Sequence, residues 1–371
     1  MKSHIPFLDL GAAYRELQSE LEDAILGSLR TGWYIGGDAV DGFEQDFATY
    51  TGTGHCVGVA NGLDALHLAL LALGVGPGDE VIVPSNTYIA TWLAVSHCGA
   101  TPVPVEPLPE TFNLDPDRIE AAITPRTRVI LPVHLYGQPA DMDPILAIAR
   151  RHGLRVLEDA AQAHGARYKG RRIGGHGDVV AWSFYPGKNL GALGDAGAIT
   201  SNDAEITDRV RVLRNYGSRV KYVNEVRGFN SRLDPVQAVA LRIKLRHLEV
   251  WNERRKALAA QYLTGLAGCA LQLPFVPDWA DPVWHLFVVR VTQREAVQAC
   301  LTEQGVQTLI HYPVPPHRQA AYADMGWGDG RFPISEKMHR EVLSLPIGPQ
   351  LETDSVDRVI MELSGCLKRS A

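Results

Sequence analysis

The chain has 371 residues, of which 46% are hydrophobic and 21% are charged, and its formal net charge is −6. This composition is that of an ordinary globular protein, and the acidic balance argues against a nucleic-acid-binding surface. No run of 18 apolar residues is long enough to span a membrane, and Met1–Leu10 lacks the apolar segment of a signal peptide, so we expect a cytoplasmic protein without a membrane partner.

The length predicts two domains, a large one with an N-terminal arm at residues 1–250 and a small C-terminal one at 251–371. The five cysteines are odd in number and lack C-x-x-C spacing; they are Cys56, Cys98, Cys269, Cys300 and Cys366. This pattern favours free thiols in a reducing cytosol over a disulfide framework or a zinc site, and no metal is predicted.

The N-terminal part begins with an extended piece at Ile5–Leu10 and one amphipathic helix at Ala12–Leu29. The helix is predicted from an apolar stripe at i, i+4 spacing, formed by Leu17, Leu21, Ile25 and Leu29. A glycine-rich loop with exposed aromatic residues follows at Thr31–Gly37. Its aromatic rings are able either to stack on a ligand base or to pack against the end of the helix.

Short β-rich runs then alternate with helical stretches. The runs are Cys56–Ala60, Glu80–Pro84, Pro102–Val105, Arg128–Val133, Leu154–Glu158, Val179–Phe184 and Ala198–Thr200. The helical stretches are Leu63–Leu73, Ala90–Cys98, Ile119–Ala122 and Pro144–His152. This alternation predicts an α/β fold, with a mostly parallel sheet between layers of helices.

The C-terminal third starts with a long helix from about Pro235 to Leu266. A second, smaller α+β unit follows, with runs at Val283–Val291, Val297–Gln304, Val306–Ile310 and Val356–Leu367.

Ligands of a mostly parallel sheet bind at the carboxyl ends of its strands, so functional side chains are expected there. Asn61-Gly62-Leu63 joins one strand to a helix, and the backbone N–H groups of Gly62 and Leu63 would bind an anion such as a phosphate. An ordinary turn with Asn61 as the N-cap of the helix explains the same pattern equally well.

Asp159 follows another strand and is predicted to project into the same cleft. A buried carboxylate needs a partner, and a protonated pyridine nitrogen would supply one. Gln162 lies three residues further on and could reach a ring oxygen. The alternative for Asp159 is a helix N-cap, and the two roles are compatible.

Two further side chains follow strand ends. Tyr88 could lay its ring on a flat cofactor, although core packing is the default for a tyrosine. The hydroxyl of Ser183 could face the same phosphate as Gly62, although a hydrogen bond within its own strand or turn is the simpler explanation.

Lys188 lies between an apolar run and glycines at 191, 194 and 197, and Pro186-Gly187 breaks the strand before it. A lysine amine that such a turn aims into a cleft loses water, which lowers its pKa and makes it a Schiff-base nucleophile. We therefore predict that Lys188 forms an imine with pyridoxal 5′-phosphate (PLP). The P-loop pattern fails, because Trp182 and Asn189 replace its glycine and its Ser or Thr. A surface lysine in a glycine-rich loop remains the alternative.

Taken together, these signals resemble the fold-type I PLP enzymes. The sequence resembles the nucleotide-sugar aminotransferases of the DegT/StrS family over nearly the whole chain. The motifs that carry this resemblance are N-G-L-D-A-L, E-D-A-A-Q-A-H-G and S-F-Y-P-G-K-N-L-G-A-L-G-D-A-G. The resemblance implies a PLP/PMP-dependent aminotransferase with a large domain and a smaller α+β C-terminal domain.

The resemblance also implies residue roles. Lys188 is the Schiff-base lysine and proton shuttle, Asp159 pairs with the pyridine nitrogen, and Gln162 binds the ring hydroxyl. Tyr88 stacks on the ring. The remaining cofactor-binding residues hold the phosphate; they are Gly62, Leu63, Ser183 and, from the neighbouring subunit of a homodimer, Asn230.

On the substrate side, the resemblance implies a dTDP-keto-sugar and L-glutamate as the amino donor. The residues that match substrate-contacting stretches of relatives are Tyr185, Lys221, Tyr222, Arg232, His311, Tyr312 and His317. The basic run between Arg209 and Lys221 is explained equally well as a solvated helix face. The sequence most resembles those of enzymes that aminate C-3 of a dTDP-3-keto-6-deoxyhexose. Amination at C-4 of a dTDP- or UDP-4-keto sugar and a non-catalytic regulatory or sensing protein are the alternatives.

Overall fold

The computed structural model describes residues 4–370, so the outermost positions of both predicted domains, and the first three residues of the segment used to predict localisation, lie outside it. The helices are α1 Leu10–Glu16, α2 Gln18–Arg30, α3 Asp38–Thr51, α4 Gly62–Ala72, α5 Ile89–His97, α6 Met142–His152, α7 Ala204–Leu213, α8 Pro235–Gly265, α9 Arg294–Glu303, α10 Pro333–Glu341 and α11 Thr353–Ser370. Within residues 4–370, none of these helices is long and apolar enough to cross a membrane.

The strands are β1 His55–Val59, β2 Glu80–Pro84, β3 Thr101–Val105, β4 Thr127–Ile130, β5 Arg155–Asp159, β6 Arg167–Tyr168, β7 Arg171–Arg172, β8 Val179–Ser183, β9 Gly197–Ser201, β10 Ser218–Val220, β11 Val223–Asn224, β12 Ala280–Asp281, β13 Phe287–Arg290 and β14 Val342–Leu345. The strands of the large sheet (β1, β2, β3, β4, β5, β8 and β9) fall close to the predicted runs, and the short strands β6, β7, β10, β11, β12 and the strand β14 were not predicted. The predicted helical stretch at Ile119–Ala122 forms short 3₁₀ turns at Pro116–Arg118 and Glu120–Ala122.

A seven-stranded sheet organises the molecule, in the order β1-β9-β8-β5-β4-β2-β3. Only β9 runs antiparallel to its neighbours, so the predicted mostly parallel sheet is confirmed. Apolar clusters cover both faces of the sheet. In the β5–β8 pair Asp159 lies opposite Ala181, which places the carboxyl ends of the two strands side by side.

A third apolar cluster surrounds the β13–β14 pair and includes the C-terminal half of α8, α9 and α11. Ile5 belongs to it and forms a bridge to Val306. Helix α8 runs without interruption through residue 250 and connects the two parts of the chain. The division of the chain at that residue stays a prediction.

The predicted single helix at Ala12–Leu29 is wrong in one respect. The chain forms two helices, because the backbone of Leu17 leaves helical geometry with φ −114° and ψ 17°. Leu17 and Leu21 are buried against α8, as the apolar stripe predicted, whereas Leu29 is 44% exposed.

The prediction of five free thiols is also wrong for one pair. Cys300 on α9 and Cys366 on α11 form a disulfide, with Cα atoms 5.8 Å apart. The two helices pack against each other, so cysteines that are 66 positions apart in sequence become neighbours. Cys56, Cys98 and Cys269 are free, as predicted.

Candidate active site

Lys188 lies on a tight turn just after β8. Its N–H donates to the carbonyl of Tyr185 at 2.8 Å, which closes the turn. The following chain passes so close that a Cβ on Gly191 would lie 2.3 Å from the carbonyl oxygen of Pro186, so only glycine fits there. Burial lowers the pKa of the Lys188 amine to about 8, against the opposing charge of Asp159. An amine in this state is a competent nucleophile near neutral pH.

The Lys188 side chain lines a cavity of about 340 Å³. The other walls come from the N-terminal segment and α1, the rest of the Lys188 turn, helix α8, and Pro349-Gln350. Two buried cations of α8, Lys244 and Arg255, also line it. Of the residues predicted to bind the cofactor, Lys188 alone is among those that line this cavity.

Asp159 ends β5 and is 5% exposed. Its carboxylate accepts hydrogen bonds from the Thr91 hydroxyl at 2.9 Å and from the Ala161 N–H at 3.2 Å. Burial raises the pKa of Asp159, and these two hydrogen bonds and the positive charge of Lys188 act in the opposite direction. A cationic partner at this carboxylate would relieve the cost of its burial.

Gln162 is also buried and lies between two tyrosines. Its Oε1 accepts from the N–H of Tyr136 at 2.6 Å, and its Nε2 donates to the hydroxyl of Tyr312 at 3.0 Å. The ring of Tyr312 lies 5.1 Å from that of Tyr88, which is 54% exposed at the start of α5. Tyr88 thus presents an aromatic face beside the same cleft rather than packing in the core.

Gly62 and Ser183 meet at the turn into α4. A Cβ on Gly62 would lie 2.5 Å from the Cβ of Ser183 and 3.0 Å from its hydroxyl oxygen. Asn61 caps the helix through Asp64 N–H at 2.8 Å, and Ser183 accepts from Tyr185 N–H at 3.4 Å, so both alternative explanations are also correct. A helix N-terminus beside a hydroxyl has the donors and the dipole that suit a phosphate.

These residues fit PLP, because each part of that molecule has a matching group. The buried carboxylate of Asp159 suits a ring N–H⁺, and the close approach of Gly62 to Ser183 suits the phosphate. The Lys188 amine makes no hydrogen bond or ion pair within residues 4–370, so it is free to react.

The predicted substrate residues divide into two groups. Tyr185, His311 and Tyr312 surround the Lys188 turn: burial and the charge of Lys188 lower the pKa of His311 to about 4, and its Nδ1 lies 2.8 Å from the hydroxyl of Ser344. Tyr185 is 60% exposed beside the turn.

The other predicted residues make no described contact with this cluster. Lys221 and Tyr222 are at the exposed tip of the β10–β11 hairpin, with Tyr222 87% exposed. Arg232 donates to Asn215 at 3.2 Å, and Asn230, also exposed, forms a bridge to the same residue. Buried His317 pairs with Glu336 at 3.3 Å.

The basic run is divided between paired and solvated side chains, and Arg209, Arg219 and Lys221 are exposed, as a solvated face would have them. Arg211 and Arg214 both pair with buried Glu44 at 2.6 Å, and Arg219 pairs with Asp208. Together with Arg232 they line a separate cavity of about 500 Å³. The two ion pairs with Glu44 hold α7 to α3.

Sequence reasoning missed four residues of the cluster. They are Thr91, which binds Asp159; Tyr136, which binds Gln162 and, through its hydroxyl, the carbonyl of His311; and Asn189 and His285, which lie 3.2 Å apart beside Lys188. Only Thr91 carried a usable signal, because it follows Tyr88 by three residues and therefore lies on the same face of the helix.

Comparison with known proteins agrees with this geometry. Residues 15–364 match the model of the DegT/DnrJ/EryC1/StrS aminotransferase family. A dTDP-3-amino-3,4,6-trideoxy-alpha-D-glucose transaminase of Streptomyces venezuelae is 58% identical over 96% of this chain and 94% of its own. The erythromycin biosynthesis sensory transduction protein EryC1 of Saccharopolyspora erythraea is 57% identical over 97% of this chain and 98% of its own.

A solved structure shows the same fold. The crystal structure of S. venezuelae DesV in complex with a ketimine intermediate superposes with a TM-score of 0.97 at 57% identity and covers 99% of both chains. The predicted fold and enzyme class are confirmed, and PLP is the cofactor of this class. The chain belongs to the DegT/DnrJ/EryC1/StrS aminotransferase family.

Proposed function

We propose that this protein transfers an amino group from L-glutamate to C-3 of a dTDP-3-keto-6-deoxyhexose. The observation that carries the proposal is the assembly of Lys188, Asp159 and Gln162 at neighbouring strand ends, with the amine of Lys188 unpaired and its pKa lowered to about 8. The names of the similar transaminases support the choice of sugar and of carbon.

Bound PLP supplies an electron sink for the carbon that carries the nitrogen. We assign to Asp159 the task of keeping the ring nitrogen protonated, and to Gln162 a hydrogen bond to the ring oxygen. Tyr88 supports the face of the ring. The N–H groups of Gly62 and Leu63 and the hydroxyl of Ser183 bind the phosphate.

Lys188 has two tasks in this proposal. Its Nζ first holds the cofactor and, once the donor has displaced it, takes the proton from the Cα of the donor. Tyr185 belongs to the Lys188 turn, and His311 lies close enough to Lys188 for that charge to lower its pKa. Tyr312 accepts a hydrogen bond from Gln162. These three residues are the best placed to contact the sugar.

We further propose a homodimer in which Asn230 of one subunit completes the phosphate site of the other. Asn230 and the β10–β11 hairpin are exposed, and their neighbourhood carries apolar side chains that a partner would cover; these are Tyr216, Val220, Tyr222, Val223, Val226 and Phe229. Lys221 and Arg232 would then face the diphosphate of the substrate. His317 is the weakest of the assigned substrate residues, since it is already paired with Glu336.

A cytoplasmic location is also proposed. The free thiols of Cys56, Cys98 and Cys269 support it, and the Cys300–Cys366 disulfide counts against it.

A regulatory role is the second candidate, because one similar protein is named a sensory transduction protein. The complete set of Lys188, Asp159 and Gln162 favours catalysis, since a sensor has no need of a nucleophile.

The test converts the purified protein to its PMP form with L-glutamate and offers it dTDP-3-keto and dTDP-4-keto sugars separately. We expect the absorption of the PLP form to return with the 3-keto sugar. Return only with 4-keto sugars would move the reaction to C-4. No spectral response to glutamate would favour the regulatory protein.

A further inference from the structure

A buried pair of side chains lies directly behind the catalytic carboxylate. His134 and Glu158 are each fully buried, and Nε2 of His134 is 3.0 Å from Oε2 of Glu158. A carboxylate in this position is costly unless every lone pair is satisfied. The pair touches none of the residues assigned to substrate or phosphate, so it requires an explanation of its own.

Glu158 is fully satisfied by its surroundings. Its Oε1 accepts the N–H groups of His176 at 2.9 Å and of Gly177 at 2.6 Å. On the other side, Nδ1 of His134 accepts the N–H of Ala140 at 3.0 Å, so the ring proton is on Nε2 and points at Glu158. Burial would raise the pKa of Glu158, but the hydrogen bonds from His134 and from the backbone of Gly177 help to leave it lowered.

His134 also contacts Asp159 through its backbone. The N–H of His134 donates to the carbonyl of Asp159 at 3.0 Å, and the N–H of Asp159 donates to the carbonyl of Pro132 at 2.9 Å. Successive residues of a strand point to opposite faces, so Glu158 faces His134 while Asp159 faces the cleft. One histidine therefore holds two consecutive residues of β5, one by its ring and the other by its backbone.

The segment after His134 carries other parts of the site. Tyr136, two residues on, donates its N–H to Gln162 and its hydroxyl to the carbonyl of His311. A shift of His134 would move these contacts together with the backbone of Asp159.

We propose that His134 and Glu158 are positioning residues, which fix the carboxylate of Asp159 and the amide of Gln162 where they meet the cofactor ring. The inference rests on the proposed role of Asp159. The pair touches no reacting atom and acts only through the residues it holds.

The test compares Glu158→Gln with Glu80→Gln. Glu80 is a matched control, because it is a buried, ion-paired glutamate at the opposite end of another strand of the same sheet. Both variants lose a buried charge, but only Glu158→Gln is expected to weaken PLP binding, by about 10- to 100-fold for one charged hydrogen bond. It should also shift the pH at which the absorption of the bound cofactor changes, in the same direction as Asp159→Asn and by less.

If Glu158→Gln does not fold, two variants of His134 test the same proposal. His134→Gln retains a donor near the position of Nε2 and should bind PLP nearly as the unaltered protein does, whereas His134→Ala should not. Unchanged PLP affinity and unchanged absorption in folded Glu158→Gln would overturn the proposal, and so would equal losses in Glu80→Gln. If neither Glu158→Gln nor His134→Ala folds, the pair is required for the fold and the positioning role is rejected.

The proposed function can fail separately. If Asp159→Asn changes neither the affinity for PLP nor the absorption of the bound cofactor, the role of Asp159 itself is wrong, whatever the outcome for Glu158.

Discussion

The carboxyl edge of β5 and β8 differs from the β10–β11 hairpin in how its residues are held. Asp159 is 5% exposed and has two hydrogen-bond donors, whereas Tyr222 is 87% exposed at the hairpin tip. The first region is organised by contacts within one chain, so its chemistry can be derived from one chain. We infer that the second acquires its partners only when another subunit covers it.

The largest effect is expected at the carboxyl edge. Lys188→Ala removes both the attachment point and the proton shuttle, so transamination should fall by about 10⁴-fold or more. The measurement is the rate of the glutamate half-reaction. The control is Arg246→Gln, which alters an exposed cation of α8 that pairs with Glu20 of α2. Substantial residual transamination in Lys188→Ala would refute its role.

The proposed role of Asn230 in the site of the other subunit is tested by mixing subunits. Asn230→Ala alone should weaken PLP binding, because the phosphate loses a donor from the partner. When Lys188→Ala and Asn230→Ala subunits exchange, each mixed dimer contains one intact site, so activity should return to about a quarter of the unaltered value. Each variant mixed with itself provides the control. No recovery in the mixture would show that the two residues do not come from different subunits.

The pH dependence of cofactor uptake reports the environment of Lys188. The amine reacts only when it is unprotonated, so uptake of PLP by the apoprotein should rise about tenfold per pH unit below the pKa and level off above it. Burial places that midpoint at about 8. Asp159→Asn should move the midpoint further down, because the charge of Asp159 raises the pKa of Lys188. A midpoint near that of an exposed lysine would contradict the burial of the amine.

The smallest effect is expected at the turn that contains Gly62, at the start of α4. Gly62→Ala places a Cβ against Ser183 and should reduce the free energy of unfolding by about 1–3 kcal/mol. It should also weaken PLP binding. Gly76→Ala is the matched control, because a Cβ there meets nothing within 4 Å. Equal stability and equal PLP affinity of the two variants would show that the turn at Gly62 can accommodate a Cβ.

The sequence was most informative where short-range signals determine the structure. Apolar runs that end at Pro, Gly or a polar residue predicted the sheet and its carboxyl edge, and therefore the neighbourhood of Asp159, Ser183 and Lys188. Contacts between distant segments gave no such signal. The Cys300–Cys366 pair and the two arginines on Glu44 depend on how helices pack, which no local pattern encodes.

The site showed the same limit. Thr91 could be inferred from its spacing to Tyr88. Tyr136 and His285 reach the cluster through turns with positive φ angles. Tyr136 itself has φ 60°, and Trp284, the residue before His285, has φ 51°. Such conformations are set by tertiary contacts rather than by residue type.

The most direct test is to reduce the purified, PLP-loaded protein with borohydride and to locate the label by peptide mass spectrometry. Lys244 makes this a demanding test, because it lines the same cavity and burial also lowers its pKa to about 8. The account predicts a pyridoxyl group on Lys188 and none on Lys244. A label on Lys244 or on any other lysine, or no label at all, would contradict it.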